Sequence, residues 1–178
     1  MSLLGPVSRR LGLIALLGCG AFLSQANIGL TSRFEERVLA AHNRERASAG
    51  VPALRWDEDL ARSAAAWADR LQTLDRLEHA PQSSDEDDVQ GENLWAGTLA
   101  AYSTEEMVGA WVAEKRNFKP GVFPANSRTG KLQDVGHYTQ LMWRSTTSLG
   151  CALARGRDKD FLVCRYSEGG NVIGERPF

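Results

Sequence analysis

Two cysteines near the C-terminus constrain this chain more than any other feature. Cys151 and Cys164 flank the polar run Arg155-Gly156-Arg157-Asp158-Lys159-Asp160. Residues 149–154 and 160–166 read as the two strands of a hairpin around that turn. With the turn centred between Arg157 and Asp158, positions 151 and 164 stand opposite each other, close enough for a disulfide. Two free buried thiols are the alternative. The third cysteine, Cys19, lies far upstream, so the pair is even, as expected in an oxidising compartment.

The N-terminus supports export. Arg9 and Arg10 precede an apolar run over 11–23, followed by the small-x-small pattern Ser24-Gln25-Ala26. This is the form of a secretory signal peptide over residues 1–26, and it is too short to span a bilayer comfortably. A second reading competes: Leu16-Leu17-Gly18-Cys19 resembles a bacterial lipobox, which would anchor the chain through a lipid on Cys19. Against it, the apolar run continues through Ala21-Phe22-Leu23. Residues 27–33 then form a lead-in to one domain over 34–178. The whole-chain net charge is -1, and the signal segment removes two arginines. No basic field points to nucleic acid. The mature chain carries no apolar run of membrane-spanning length.

Helices come first and strands late, which makes the class α+β. Ser32-Arg33-Phe34-Glu35 has the form of a capping box opening a helix to about Ala47, with Phe34, Val38 and Ala41 on one stripe. Gly50-Val51-Pro52 stops it. A second helix starts after Asp57, with Leu60, Ala64, Trp67, Leu71 and Leu74 at alternating steps of four and three, and ends before His79-Ala80-Pro81. Residues 82–90 are acidic and lack the alternating ligand spacing of a calcium loop, so they read as a solvated surface loop. Ser103-Thr104-Glu105-Glu106 opens a third helix carrying Met107, Trp111 and Phe118 on one stripe. Glu114 falls on that stripe, so its carboxylate points inward and needs a partner. Residues 120–134 have no period and read as a long loop of the kind that lines sites. His137 to Trp143 reads as a short helix. Of the three histidines, His42 sits inside the first helix as a structural group.

Several spaced motifs resemble one family. Gly136-His137-Tyr138-Thr139-Gln140-Leu141-Met142-Trp143 is similar to the first signature of the CAP superfamily (cysteine-rich secretory proteins, antigen 5 and plant pathogenesis-related 1 proteins, also called SCP domains). Phe161-Leu162-Val163-Cys164-Arg165-Tyr166 with Gly170-Asn171 resembles its second. His42-Asn43 with Arg46, Pro52-x-Leu54-x-Trp56, Gly91-Glu92-Asn93-Leu94 and the closing Gly174-x-x-Pro177-Phe178 also fit. Two departures stand out. Glu168 replaces a usual Pro, which should loosen that turn, and Phe178 replaces a frequent Tyr. The expectation is a minimal single-domain form, without the cysteine-rich C-terminal module of some members.

The resemblance implies a three-layer α-β-α sandwich with a small antiparallel sheet between helices. It also implies a cleft holding two histidines and two glutamates: His79, Glu92, Glu114 and His137. Such a set has two chemical uses. Neutral His79 and His137, supported by Glu92 and Glu114, suit zinc or another divalent cation. Alternatively the four groups pair by hydrogen bonds and hold the cleft together. Catalysis is poorly supported: no His-Glu-x-x-His helix or Gly-x-Ser-x-Gly elbow is present, and no free nucleophile stands beside a base. The expectation is therefore a secreted, non-enzymatic binding module with no required cofactor. Its cargo would be a sterol, another lipid or an extracellular protein partner. A divalent-metal-dependent hydrolase at the same cleft is the alternative.

Overall fold

The strand that organises the molecule is β4 (Lys159–Ser167), because its two faces feed two separate cores. The computed structural model describes residues 20–81 and 89–178, with side chains from residue 33 onward. Most of the expected signal segment, including Cys19, and most of the acidic run lie outside the described residues.

Leu162, Cys164 and Tyr166 of β4 pack with α1 (Gly20–Ser48), α3 (Thr104–Val112) and α4 (Gly136–Leu141). Phe161 and Val163 point the other way, onto Ala64, Ala68 and Leu71 of α2 (Glu58–Leu74). This period of two, with both faces apolar, marks a strand buried on both sides. The result is helices, sheet and helix in three layers. The sheet has the order β1-β3-β4-β2, with β1 Arg55–Trp56, β2 Gly91–Thr98 and β3 Ser148–Arg155. Both β3 and β2 run antiparallel to β4, while β1 pairs parallel to β3, so the sheet is mixed rather than wholly antiparallel.

The hairpin register places Cys151 opposite Cys164 and Arg155 opposite Asp160. The cysteines form a disulfide, which excludes the free-thiol alternative. Asp57 caps α2, its carboxylate accepting from the amides of Asp59 and Leu60. The buried stripe of α2 is Leu60, Ala64, Ala68 and Leu71; Trp67 is only half-buried and donates its indole N–H to Glu78 O at 2.9 Å. Helix and sheet meet at Gly150. A Cβ there would lie 2.1 Å from the Ala61 amide nitrogen, so only glycine admits this approach.

Three expectations are corrected. Helix α1 begins at Gly20, so Ser32 lies inside it and does not cap it. Helix α3 ends at Val112 and gives way to a 3-10 turn over Ala113–Asn117; Phe118 lies beyond, bridged to Ser127. Glu114 is therefore carried by the turn and not by a continuous helix. The segment at Glu168 is not loose: Thr146 Oγ1 donates to Glu168 O at 2.7 Å and Gly169 N to Val89 O at 3.2 Å. Phe178 closes the chain against Phe118, with ring centroids 5.1 Å apart. Among the described residues no helix is long and apolar enough to cross a membrane.

Candidate functional site

His137 is the second residue of α4, a helix whose preceding residue, Val135, supplies no side-chain cap. The first amides of any helix lack intrahelical partners. Glu114 supplies what is missing. Its Oε2 accepts from the His137 amide at 3.0 Å and the Tyr138 amide at 3.1 Å, and its Oε1 accepts from His137 Nδ1 at 2.6 Å. One carboxylate thus caps the helix and orients the imidazole. The ring also stacks on Trp111, at 6.1 Å between centroids and 18° between planes. The far end of α4 is held by Arg46, fully buried in α1, which donates to Leu141 O, Trp143 O and Thr146 O, each at 2.9 Å. Burial lowers the Arg46 pKa to about 10.

His79 reaches the same region by a different route. It lies in the segment after α2, which the Trp67–Glu78 bond ties back to the helix. Its Nδ1 donates to Glu92 Oε1 at 2.6 Å, and the Ala80 amide donates to the same oxygen at 3.2 Å. Glu92 lies on β2 directly opposite Arg165 on β4, whose Nη2 is 3.0 Å from Glu92 Oε2. The carboxylate is 5% exposed and the guanidinium 12%, whereas the His79 side chain is 65% exposed. The hydrogen bond to Glu92 raises the His79 pKa above its usual value; partial burial and Arg165 act against it.

Between the two pairs stands Asn93, buried on β2. Its Nδ2 donates to His137 O at 3.0 Å and to the Tyr166 hydroxyl at 3.1 Å. The Tyr166 hydroxyl meets His42 Nε2 at 2.9 Å, and His42 Nδ1 lies 2.8 Å from Val38 O. A carbonyl only accepts, so His42 Nδ1 carries the proton and Nε2 accepts from the tyrosine. Burial then lowers the His42 pKa to about 4 and raises that of Tyr166. His42 is structural, as expected.

His79, Glu92, Asn93, His137 and Asn171 line one cleft of about 300 Å³, with Leu132 among its other walls. Of the four residues singled out in the sequence, three line the cleft. Glu114 stands behind His137. They form two separate pairs rather than one four-membered cluster. In each pair the carboxylate takes Nδ1, and no described residue hydrogen-bonds either Nε2. Asn93, Trp111 and Arg165 fall within recognisable motifs, but sequence reasoning gives them no role. The cross-strand register that puts Arg165 on Glu92 is not visible before β2 is known to be a strand.

The donor set bears directly on a metal. Two imidazoles, each backed by a carboxylate on Nδ1, match the way metal-bound histidines are usually held. A closed zinc site needs four ligands. Both carboxylates already accept two or more partners, and among the described residues no three His, Cys, Asp or Glu groups cluster to hold an ion. The residues suit an open two-nitrogen site completed by water or ligand.

The profile of the cysteine-rich secretory protein (CAP) family matches residues 39–166. The chain is 36% identical over 143 residues to pathogenesis-related protein 1 of Arabidopsis thaliana, covering 79% of this chain and 80% of that protein. It is 31% identical over 158 residues to GLIPR1-like protein 1 of Bos taurus, covering 82% and 63%. Among solved structures, NaASP2 with Zn2+ superposes with a TM-score of 0.68 at 20% identity over 80% of this chain and 83% of that one. An outer surface protein of Borrelia burgdorferi superposes with a TM-score of 0.54 at 15% identity, over 82% and 95%. Profile, relatives and three-layer fold agree: the chain belongs to the CAP family.

Proposed function

We propose that this protein is a secreted, non-enzymatic binding module whose ligand seats between His79 and His137. The observation that carries the reading is the state of the four ionisable groups. Glu114 accepts three hydrogen bonds, Glu92 accepts two on Oε1 and sets Oε2 in an ion pair with Arg165, and each imidazole is fixed through Nδ1. What remains is a pair of oriented Nε2 atoms in a cleft whose lining, among the described residues, includes no Ser, Thr, Cys or Lys. The imidazoles and Glu92 are bases, but nucleophilic attack also needs a side-chain nucleophile beside a base, and this lining offers none. Recognition of a polar head needs only what is there.

A lipid or sterol suits the arrangement. Its polar end would hydrogen-bond the imidazoles and Asn93 or Asn171, and its apolar body would lie over Leu132, which is 40% exposed. An extracellular protein partner is the other occupant of this class. Binding of radiolabelled cholesterol and palmitate to the purified protein, and to a His79→Ala/His137→Ala variant, tests it. Binding that the double variant loses is expected. Binding no stronger than to an unrelated control domain, or unchanged in the variant, refutes the lipid reading.

Export through the segment 1–26 belongs to the same proposal and agrees with a relative named secreted protein RBT4 of Candida albicans. Mass spectrometry of the mature N-terminus distinguishes a start at Asn27 from a lipidated Cys19.

The two Nε2 atoms, which no described residue hydrogen-bonds, also favour a second reading, labile binding of zinc or another divalent cation, with metal-dependent hydrolysis as its catalytic version. The NaASP2 structure was solved with Zn2+. Zinc calorimetry on wild type and His137→Ala decides; no heat of binding in the wild type removes this reading.

A further inference from the structure

A second surface lies on the opposite margin of the sheet from the His79–His137 cleft. Strand β1 covers only the first two residues of the eight-residue β3, pairing Arg55 with Ser148 and Trp56 with Leu149. The chain then turns into α2, and Asp57 N donates to Leu149 O at 2.9 Å. That bond fixes which backbone groups of β3 face outward. Backbone N–H and C=O groups alternate sides along a strand, so those of Cys151, Leu153 and Arg155 face the uncovered margin. No described residue hydrogen-bonds the Cys151 or Leu153 amide there. An open strand edge of this kind is a template for another chain.

The margin is the floor of a groove of about 450 Å³ between α1 and α2. Phe34, Trp56, Ala61 and Leu153 make much of its wall apolar. Two arginines and two glutamates line it, and no ion pair joins the one set to the other. Arg62 is paired with Asp59, and Arg155 faces Asp160 at 3.8 Å. Glu35 and Glu58 also line the groove, and neither has a cationic partner among the described residues. The Glu35 carboxyl pKa is raised, chiefly by burial and then by the charges of Glu58 and Glu36. Two like charges held together beside apolar walls favour a cation between them.

We propose that the groove binds an extended segment of a partner polypeptide, added as a strand to the free edge of β3, with a Lys or Arg side chain between Glu35 and Glu58. The unpaired edge selects a peptide, because only a peptide backbone presents matching donors and acceptors at strand spacing. The carboxylate pair selects its charge. The surface is separate from the histidine cleft, so either can fail without the other.

The probes are acetyl-Val-Lys-Val-Lys-Val-amide, the same peptide with Glu for Lys, and the Lys peptide N-methylated at alternate residues. Binding is followed by amide NMR shifts and hydrogen exchange of Cys151, Leu153 and Arg155 in the purified protein. The Lys peptide should shift and protect these amides, with the His79 and His137 ring signals unmoved. The Glu and N-methylated peptides should bind at least tenfold more weakly, and Glu35→Gln/Glu58→Gln should weaken the Lys peptide by about the same factor. No response at millimolar Lys peptide overturns the proposal, as does equal binding by the N-methylated or the Glu peptide. A concentration-dependent dimer that protects the same amides without peptide overturns it too, assigning the edge to a second copy of this chain.

Discussion

Replacing Glu114 by Ala tests the central structural claim, that one carboxylate both caps α4 and sets the tautomer of His137. Glu114 accepts three hydrogen bonds: two from backbone amides with no alternative partner, and one from His137 Nδ1. Loss of a helix cap costs about 1 kcal/mol. Loss of a hydrogen bond to a charged acceptor costs about 1.5–3 kcal/mol. The Glu114 side chain is 17% exposed and His137 33%, so water repairs part of the damage. The net cost should be about 2–3 kcal/mol, which for a chain of this size lowers Tm by roughly 5–10 °C. Glu114→Gln keeps one acceptor oxygen but turns an N–H2 toward a donor, and should cost about half as much.

Thermal unfolding followed by circular dichroism reads the stability. Imidazole 15N shifts read the tautomer. The wild type should carry its neutral proton on Nδ1 of His137, and Glu114→Ala should lose that preference. A Tm drop below ~2 °C for the Ala variant, or an unchanged tautomer, would refute the reasoning, because the three bonds would then be incidental to the helix and to the ring.

Four further outcomes follow from the structure. Fully buried His42 titrates near 4 against about 6.5 unfolded, so its contribution is present above pH 6.5 and is lost as pH falls toward 4, by about 3 kcal/mol at most; His42→Gln should flatten that limb of a urea-denaturation pH series. His79 has the opposite sign: its raised pKa stabilises the fold at low pH, and that contribution disappears as pH rises through the folded value, so an NMR titration should show its pKa falling back in Glu92→Gln. Opening the Cys151–Cys164 loop, with a sequence separation of 13, by replacing both cysteines with Ala should cost about 3 kcal/mol in reversible unfolding. Gly150→Ala should be worse than a surface change by at least about 2 kcal/mol, because its Cβ meets the backbone of Ala61 and Leu60.

The sequence carried the interior strands and the long amphipathic helix well, since each has a period that burial enforces. It carried β2 poorly. Gly91-Glu92-Asn93-Leu94-Trp95-Ala96-Gly97-Thr98 contains two glycines and no strand-favouring alternation, and its conformation is decided by pairing with β4 along its whole length. The same gap hid the Glu92–Arg165 pair. In α2 the stripe drifted because 3.6 residues per turn selected Ala68 over Trp67 as the second of two steps of four. The capping pattern at Ser32 expressed a local preference that a longer helix overrode. Glu114 turned inward as its spacing implied, although the α-helix that justified the spacing stops two residues earlier.

The two histidine pairs are alike at the ring and unlike behind it, and that difference orders what each can do. Glu114 spends its charge on backbone amides of a helix whose other end is tied to Arg46, so His137 is fixed to the core through both ends of α4. Glu92 spends its charge on Arg165 and on a ring that is mostly in solvent. Removing Arg165 would leave Glu92 with His79 as its remaining cation, whereas removing His79 would leave a buried ion pair intact. His79 is therefore the adjustable member of the site and His137 the reference. On the proposed reading, a ligand or ion between the two imidazoles is more easily accommodated on the His79 side, whose side chain is 65% exposed against 33% for His137. Such an adjustment would leave α4, which carries the fixed half of the cleft, in place.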